Sequence, residues 1–205
     1  MTVIMYSVNE NLKEIAVRYP AAETAEKHTR ILMAAGLAYR EKGFSGVSVS
    51  DIMKATGLTH GPFYNHFNSK EALISEALQY ISDATVNLTD GFEASEEGKA
   101  DFVRSYLSSE HCNDSGNGCL MASLASEIAR EPSFKPTFTR HVTGIIANMV
   151  ERFPWSSKAR AKKDALRTLA AMVGAVVLAR AVDDDDLANE ILSEVADGLV
   201  RSARS

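Results

Sequence analysis

The segment from Ser48 to Lys70 constrains the fold most, because it encodes two short helices separated by a tight turn. Ser48 precedes a short apolar run and can accept a hydrogen bond from the amide of Asp51, which predicts a helix N-terminus at this point. Gly57 ends that helix, since glycine takes the left-handed conformation at a helix end without steric penalty. The turn between the two helices therefore falls at residues 56–58.

A second helix is predicted over residues 60–66, capped by Thr59. Pro62 lies in its first turn, where a missing amide hydrogen leaves no intrahelical bond unmade. Phe63 and Phe67 are four residues apart and share the inward side. The outward sides then carry the polar residues Tyr64, Asn65 and His66.

Ser69 can cap a third helix, which places Lys70 beside a helix N-terminus. A cation is unfavourable there unless an anion such as phosphate is also present. Two helices joined in this way place the second one in the major groove of DNA, and DNA would supply the phosphate. The segment thus predicts a helix-turn-helix that binds DNA.

The run from Thr24 to about Leu78 resembles the tetracycline-repressor, or TetR-like, family of bacterial transcriptional regulators. The matching positions begin in the first helix and continue through the helix-turn-helix. They are Ile31, Leu32, Ala34, Ala35, Ala38, Tyr39, Gly43, Phe44, Val47, Ser48, Val49, Ile52, Gly57, Leu58, Phe63, Tyr64, His66, Phe67, Lys70 and Leu73.

The resemblance implies that some residues contact the DNA backbone and others contact the bases. Tyr64, His66 and Lys70 are expected on backbone phosphates, with Ser48 in the same surface. Asn65 can pair with an adenine edge or contact a phosphate, and both roles stay open. The residues expected to read bases are Thr59, His60, Gly61, Pro62 and Asn65.

The fold class expected is all-α, with an N-terminal three-helix DNA-binding domain and a larger helical domain for ligand binding and dimerisation. Helical spacing and breaks predict roughly nine helices and no strand. We divide the chain into an N-terminal extension (residues 1–22), a helix-turn-helix domain (23–70) and an effector-binding and dimerisation domain (71–205). The last two helices, near 158–182 and 184–201, have wide apolar sides, and the resemblance implies a homodimer through them.

Charge is distributed unevenly along the chain. The net charge is −5, yet residues 1–70 carry +2 and the remainder −7. Because phosphate neutralisation provides most sequence-independent affinity, one such domain would bind DNA weakly, and two copies on one operator would bind better. The absence of a long apolar run and of a signal-peptide pattern predicts a cytoplasmic protein. Lys13 and Arg18 of the extension are candidates for extra DNA contacts.

Two features concern a regulatory signal. Cys112 and Cys119 flank a flexible stretch and are candidates for a redox or electrophile switch, or Cys119 simply packs at a helix start while Cys112 is an incidental thiol. A small-molecule effector is expected in an apolar cavity between the middle helices. Apolar residues at helical spacing fill cores by default, so core packing is favoured over ligand contact for each candidate. The candidate lining residues are Phe102, Tyr106, Met121, Leu124, Phe138, His141, Ile145 and Met149.

Other functions are less consistent with these patterns. No Ser-His-Asp order, phosphate-binding glycine loop or metal-ligand spacing appears, so neither an enzyme nor a cofactor or metal is predicted. The four aspartates of residues 183–186 are better read as charges at a helix N-terminus than as a cation site. A helical partner-binding protein and a transcriptional activator both remain as alternatives to a repressor.

Overall fold

Helices form every regular element in residues 21–59 and 61–203, the part of the chain that this computed structural model describes. Nine α-helices occur there, together with short 3-10 helices at Gly61–Asn65 and Pro132–Phe134. The α-helices are α1 (Ala21–Lys42), α2 (Val49–Ala55), α3 (Lys70–Thr85), α4 (Glu96–Tyr106), α5 (Ser109–Asn113), α6 (Leu120–Ile128), α7 (Lys135–Arg152), α8 (Ala161–Ala181) and α9 (Asp185–Ala203). The all-α prediction is confirmed.

The predicted caps of α2 and α3 are present. Ser48 Oγ accepts from the Asp51 amide at 3.2 Å, and Asp51 Oδ2 accepts from the Ser48 amide at 3.1 Å, so the two residues form a capping box. The hydroxyl and the amide of Ser48 both donate to the Asp51 carboxylate, and these two hydrogen bonds lower the pKa of Asp51. Gly57 has a φ of 73°, the left-handed conformation expected of it. Ser69 Oγ accepts from the Ala72 amide at the start of α3.

The second helix of the motif differs from the prediction. An α-helix was expected over residues 60–66, whereas Gly61–Asn65 forms a 3-10 helix. Its end is closed by the amides of His66 and Phe67, both of which donate to the Phe63 carbonyl. The element is only five residues long, and short helical segments commonly adopt this tighter form. His60 lies outside the described residues.

Residues 1–20 of the predicted extension, including Lys13 and Arg18, lie outside the described residues. Two further boundaries differ from expectation. The linking helix α3 ends at Thr85 and not near residue 90. The loop expected over residues 110–118 contains α5, because Ser108 Oγ accepts from the His111 amide and caps a short helix.

Two apolar clusters divide the interior. The first joins α1, α2, the 3-10 helix and α3, and α6 contributes Leu120, Leu124 and Ile128 to it. The second is built from α4 and α7–α9 with parts of α5 and α6. Helix α6 thus packs into both clusters. Within the described residues, no helix has the length and apolar character needed to cross a membrane.

Helices α8 and α9 pack on each other and leave large apolar side chains at the surface. Leu178 is 58% exposed, and Leu166, Val177 and Leu187 are also exposed. Burying such side chains on a partner would remove apolar area from water, which is favourable.

Candidate nucleic-acid interface

The 3-10 helix presents a polar surface because its aromatic residues are anchored beneath it. Phe63 and Phe67 are almost completely buried and lie 5.6 Å apart by ring centroids. Tyr64, between them in sequence, is 65% exposed. Asn65, Gly61 and Thr59 are also exposed, and Pro62 is half-buried. Of the predicted base-reading residues that the structure describes, Gly61, Pro62 and Asn65 therefore lie in the 3-10 helix, and Thr59 precedes it.

His66 lies at the edge of this surface in a small cluster of rings. The His28 ring stacks on Phe67 at 4.5 Å between centroids and lies 5.8 Å from His66. His28 Nε2 also lies 2.9 Å from Glu76 Oε2 on α3. Partial burial, followed by the proximity of His28, lowers the pKa of His66. The His66 imidazole is consequently neutral at pH 7 when no phosphate is near.

Lys70 has partners that the sequence did not predict. Its Nζ donates to the carbonyl oxygens of Phe44 and Val47, each at 2.6 Å. The ammonium therefore ties the first residue of α3 to the connection between α1 and α2. An ammonium has three donors, so one remains for another acceptor such as a phosphate.

Phe44 joins α6 to the part of the chain that contains α1, α2, the 3-10 helix and α3, which we call the DNA-binding half. Its amide donates to Glu127 Oε2 at 2.8 Å, and its ring packs edge-on against Tyr39 and Phe134. Gly43, with a φ of 73°, allows this approach, because a Cβ at Gly43 would lie 2.3 Å from Glu127 Oε1. Sequence periodicity could not reveal this contact, since the two partners are 83 residues apart.

The candidate effector residues lie in the core. Seven of the eight are buried: Phe102, Tyr106, Met121, Leu124, His141, Ile145 and Met149. Phe138 is partly buried and packs against both apolar clusters, whereas Leu124 belongs to the cluster shared with α1. His141 Nδ1 lies 3.2 Å from Ser82 Oγ on α3, and burial lowers the pKa of His141.

Two open cavities lie away from these eight residues. One, of about 650 Å³, is bounded by α1, α2 and α3. The other, of about 720 Å³, lies between α5, α6, α8 and α9 and is lined by Cys112, Arg180 and Asp185 among others. None of the eight predicted effector residues lines either cavity.

Both cysteines are free thiols. Cys112 is buried, whereas Cys119 is half-buried at the N-cap of α6. The predicted flexible stretch between them is held by two arginines. Arg40 Nε donates to the Gly116 carbonyl at 2.5 Å, and Arg180 Nε donates to the Cys112 carbonyl at 2.7 Å.

Comparison with known proteins finds a family match in the N-terminal part of the chain. The model for bacterial regulatory proteins of the tetR family matches residues 31–77. The HTH-type transcriptional repressor DhaR of Mycobacterium sp. (strain GP1) is 30% identical over 105 residues, which are 51% of this chain and 50% of the relative. KstR2 of Rhodococcus jostii (strain RHA1), also an HTH-type transcriptional repressor, is 36% identical over 67 residues, 31% of this chain and 33% of the relative. The chain thus spans about half or less of the length of these curated relatives.

Solved structures extend the similarity in fold to most of the chain. Reduced NemR of E. coli has a TM-score of 0.69 at 18% identity, with 85% of this chain and 95% of the other covered. A TetR transcriptional regulator of Chloroflexus aurantiacus J-10-FL has a TM-score of 0.65 at 24% identity, with 88% and 95% covered. The helix-turn-helix that Phe63 and Phe67 anchor, the family match over it and this shared fold lead to one conclusion: residues 31–77 form a domain of the tetR family of bacterial regulatory proteins, and the chain has the fold of solved regulators.

Proposed function

We propose that the chain is a homodimeric, sequence-specific DNA-binding repressor that a small-molecule effector releases from its operator. The observation that carries the proposal is the exposed polar surface of the 3-10 helix, fixed by the buried rings of Phe63 and Phe67. Side chains that read bases need a rigid support, because a loosely held group loses the geometry of its hydrogen bonds. Two relatives are named transcriptional repressors, which supports repression over activation.

Each contact on DNA has a proposed role. Thr59, Gly61, Pro62 and Asn65 approach base edges, and His60 joins them. Tyr64, His66 and Ser48 contact phosphates. Lys70 holds the α1–α2 connection with two of its donors and directs the third to a phosphate.

Binding to the chain's own upstream DNA tests this assignment. We expect fluorescence anisotropy to show tight binding that weakens steeply with salt, and Asn65→Ala to cost about 1–3 kcal/mol of binding free energy. Asn87→Ala is the matched control, because Asn87 is also exposed but follows α3, outside the proposed surface. Equal affinities of the two variants would contradict the role of Asn65, and no salt-dependent binding at all would contradict DNA recognition.

Dimerisation is proposed through α8 and α9. The exposed leucines on these helices suit a four-helix interface, in which the same surface of each copy packs on the other. A dimer also places two reading surfaces on one operator, which offsets the small number of cations in each DNA-binding domain.

A charge on this surface tests the dimer. We expect Leu178→Glu to convert the chain to a monomer in light scattering and to weaken operator binding at least tenfold. Met33→Glu is the control, since Met33 on α1 is exposed to a similar degree, 56% against 58%. A Leu178→Glu variant that remained dimeric would exclude the α8 surface as the interface.

A further inference from the structure

The cavity between α5, α6, α8 and α9, which we call the polar cavity, has four charged side chains in its wall. Arg40 and Arg180 are half-buried, whereas Glu41 and Asp185 are exposed. No ion pair joins any of the four to another described residue. Both positive and negative side chains of this wall are therefore open to a charged ligand.

The two guanidiniums bind the same loop and retain unused N–H groups. Arg40 Nε donates to the Gly116 carbonyl. Arg180 makes three hydrogen bonds, all with uncharged acceptors in residues 111–123. A guanidinium has five N–H donors, so the bonds to described residues leave four on Arg40 and two on Arg180. Because these acceptors are neutral, they do not neutralise either positive charge.

The Asp114 carboxylate lies near Arg40 but is bonded elsewhere. It accepts from the amide and the side-chain nitrogen of Asn117, and these bonds are the main cause of its lowered pKa, with Arg40 a weaker one. Burial lowers the pKa of Arg40 despite Asp114. A ligand carboxylate beside Arg40 would oppose that effect, because an opposite charge favours the charged form of the guanidinium.

We propose that the polar cavity binds a small zwitterionic amino acid. Its carboxylate pairs with Arg40 and Arg180 on the half-buried side, and its ammonium pairs with Glu41 and Asp185 on the exposed side. A guanidinium suits the carboxylate because it presents parallel N–H donors. An anion without an ammonium would be repelled by Glu41 and Asp185, and a cation without a carboxylate by the arginines. The four charges thus select a ligand that carries both signs.

The remaining wall fits the body of such a ligand. Ser109 and Asn189 supply polar groups, and Ala122, Ala179 and Leu192 supply a short apolar side. The volume of about 720 Å³ lies within the range of small-molecule sites, about 300–1,000 Å³. A small amino acid occupies part of this space, and water that bridges to the wall fills the rest.

A ligand in the polar cavity connects the DNA-binding half to the proposed dimer surface. Arg40 and Glu41 lie in the last turn of α1, whereas Arg180 is on α8 and Asp185 on α9. An amino acid bonded to all four fixes α1 relative to α8 and α9. This step rests on the proposed function and names its effector class. The fixed arrangement spaces the two reading surfaces wrongly for one operator, so operator affinity falls by the ligand's differential affinity.

The test uses isothermal titration calorimetry at pH 7 and low salt. The probes are glycine, 4-aminobutanoate and 6-aminohexanoate, which hold the two charges at three separations. Acetate, butanoate and hexanoate are the matched compounds, because each has the same chain and carboxylate but no ammonium. DNA anisotropy with the same compounds then measures operator affinity.

Three variants separate the roles of the charges. Glu41→Gln combined with Asp185→Asn removes both carboxylates at nearly unchanged shape. Asp186→Asn is the matched control, because Asp186 is also exposed in the first turn of α9 but does not line the polar cavity. Arg40→Gln removes one positive charge, and thermal unfolding shows whether this variant remains folded.

We expect at least one amino acid to bind about tenfold or more tightly than its matched acid, as one charged hydrogen bond permits. The double variant should abolish this difference without weakening the matched acid, whereas a damaged cavity would weaken both compounds. Arg40→Gln should weaken both, and Asp186→Asn neither. The bound amino acid should lower operator affinity about tenfold, within the usual range of coupling between two sites.

Three results would overturn the site: no binding of any amino acid, equal binding of each amino acid and its matched acid, or a preference that survives in the double variant. Unchanged operator affinity with the amino acid bound would overturn its assignment as effector. Failure of the proposed function is a separate observation, because the ligand-free protein would then show no operator binding. Calorimetry needs no DNA, so the site would remain supported in that case.

Discussion

Replacing Lys70 with methionine separates a structural role of this residue from its role on DNA. The ammonium donates to the carbonyls of Phe44 and Val47 at 2.6 Å each. Both acceptor residues are buried, at 6% and 3% exposure, so their carbonyls would not easily regain hydration. Methionine keeps a similar unbranched stem but removes the charge and all three donors.

The size of the effect follows from these two bonds. A hydrogen bond that involves a charged group contributes about 1.5–3 kcal/mol to stability. Lys70 is only half-buried, so water can replace part of the interaction, and we expect a loss of about 2–4 kcal/mol in the free energy of unfolding. For comparison, domains of this size are commonly stable by about 5–15 kcal/mol.

Urea denaturation followed by circular dichroism measures this loss. Lys54→Met is the matched control, because Lys54 is exposed on the neighbouring helix α2, and we expect it to change stability by less than about 0.5 kcal/mol. The midpoint of Lys70→Met should fall at unchanged slope. Equal midpoints for the two variants would refute the structural role.

Operator binding by Lys70→Met then tests the third donor. If Lys70 also contacts a phosphate, the slope of log affinity against log salt should fall by about 0.9 in magnitude. A retained slope would assign Lys70 to positioning of the α1–α2 connection alone.

Two further predictions concern glycines and a histidine. Gly43 and Gly57 share a φ of 73°, but only at Gly43 would a Cβ meet another group, 2.3 Å from Glu127 Oε1. We expect Gly57→Ala to cost about 1 kcal/mol of stability and Gly43→Ala clearly more, by urea denaturation; equal costs would contradict the Glu127 contact. The lowered pKa of His66 leaves it neutral in free protein, and a phosphate raises that pKa, so binding takes up a proton. Operator affinity should therefore rise from pH 8 to pH 6, and His66→Asn should remove this part of the rise; an unchanged profile in the variant would argue against phosphate contact.

The sequence was informative wherever a signal is local. Ser48, Gly57 and Ser69 define ends of α2 and α3 through caps and a left-handed glycine, and these features need only neighbouring residues. Helix boundaries were predicted wrongly where local signals compete. Ser108 can cap a helix, which favours α5, but the stretch Asn-Asp-Ser-Gly-Asn-Gly that follows α5's first residues is typical of a loop, so a loop was predicted there.

Long-range partners could not be predicted from one sequence. The bonds from Lys70 to Phe44 and Val47 span more than twenty residues, and the contact between Phe44 and Glu127 spans 83. Helical periodicity reports which face of a helix is buried but does not identify the residue that packs on it. The same reason explains why apolar spacing could not distinguish a cavity wall from core at the eight candidate effector positions.

Phe44 shows how these long-range contacts combine. Its amide is bonded to Glu127 of α6, its carbonyl to the first residue of α3, and its ring packs between Tyr39 and Phe134. A shift of α6 that pulls on the amide must therefore also act on the Lys70 bond, because both belong to one residue. Lys70 begins α3, the helix that follows the 3-10 helix in the chain. Phe44 therefore couples the position of α6 to that of α3, in addition to the packing of Leu120, Leu124 and Ile128 of α6 in the first apolar cluster.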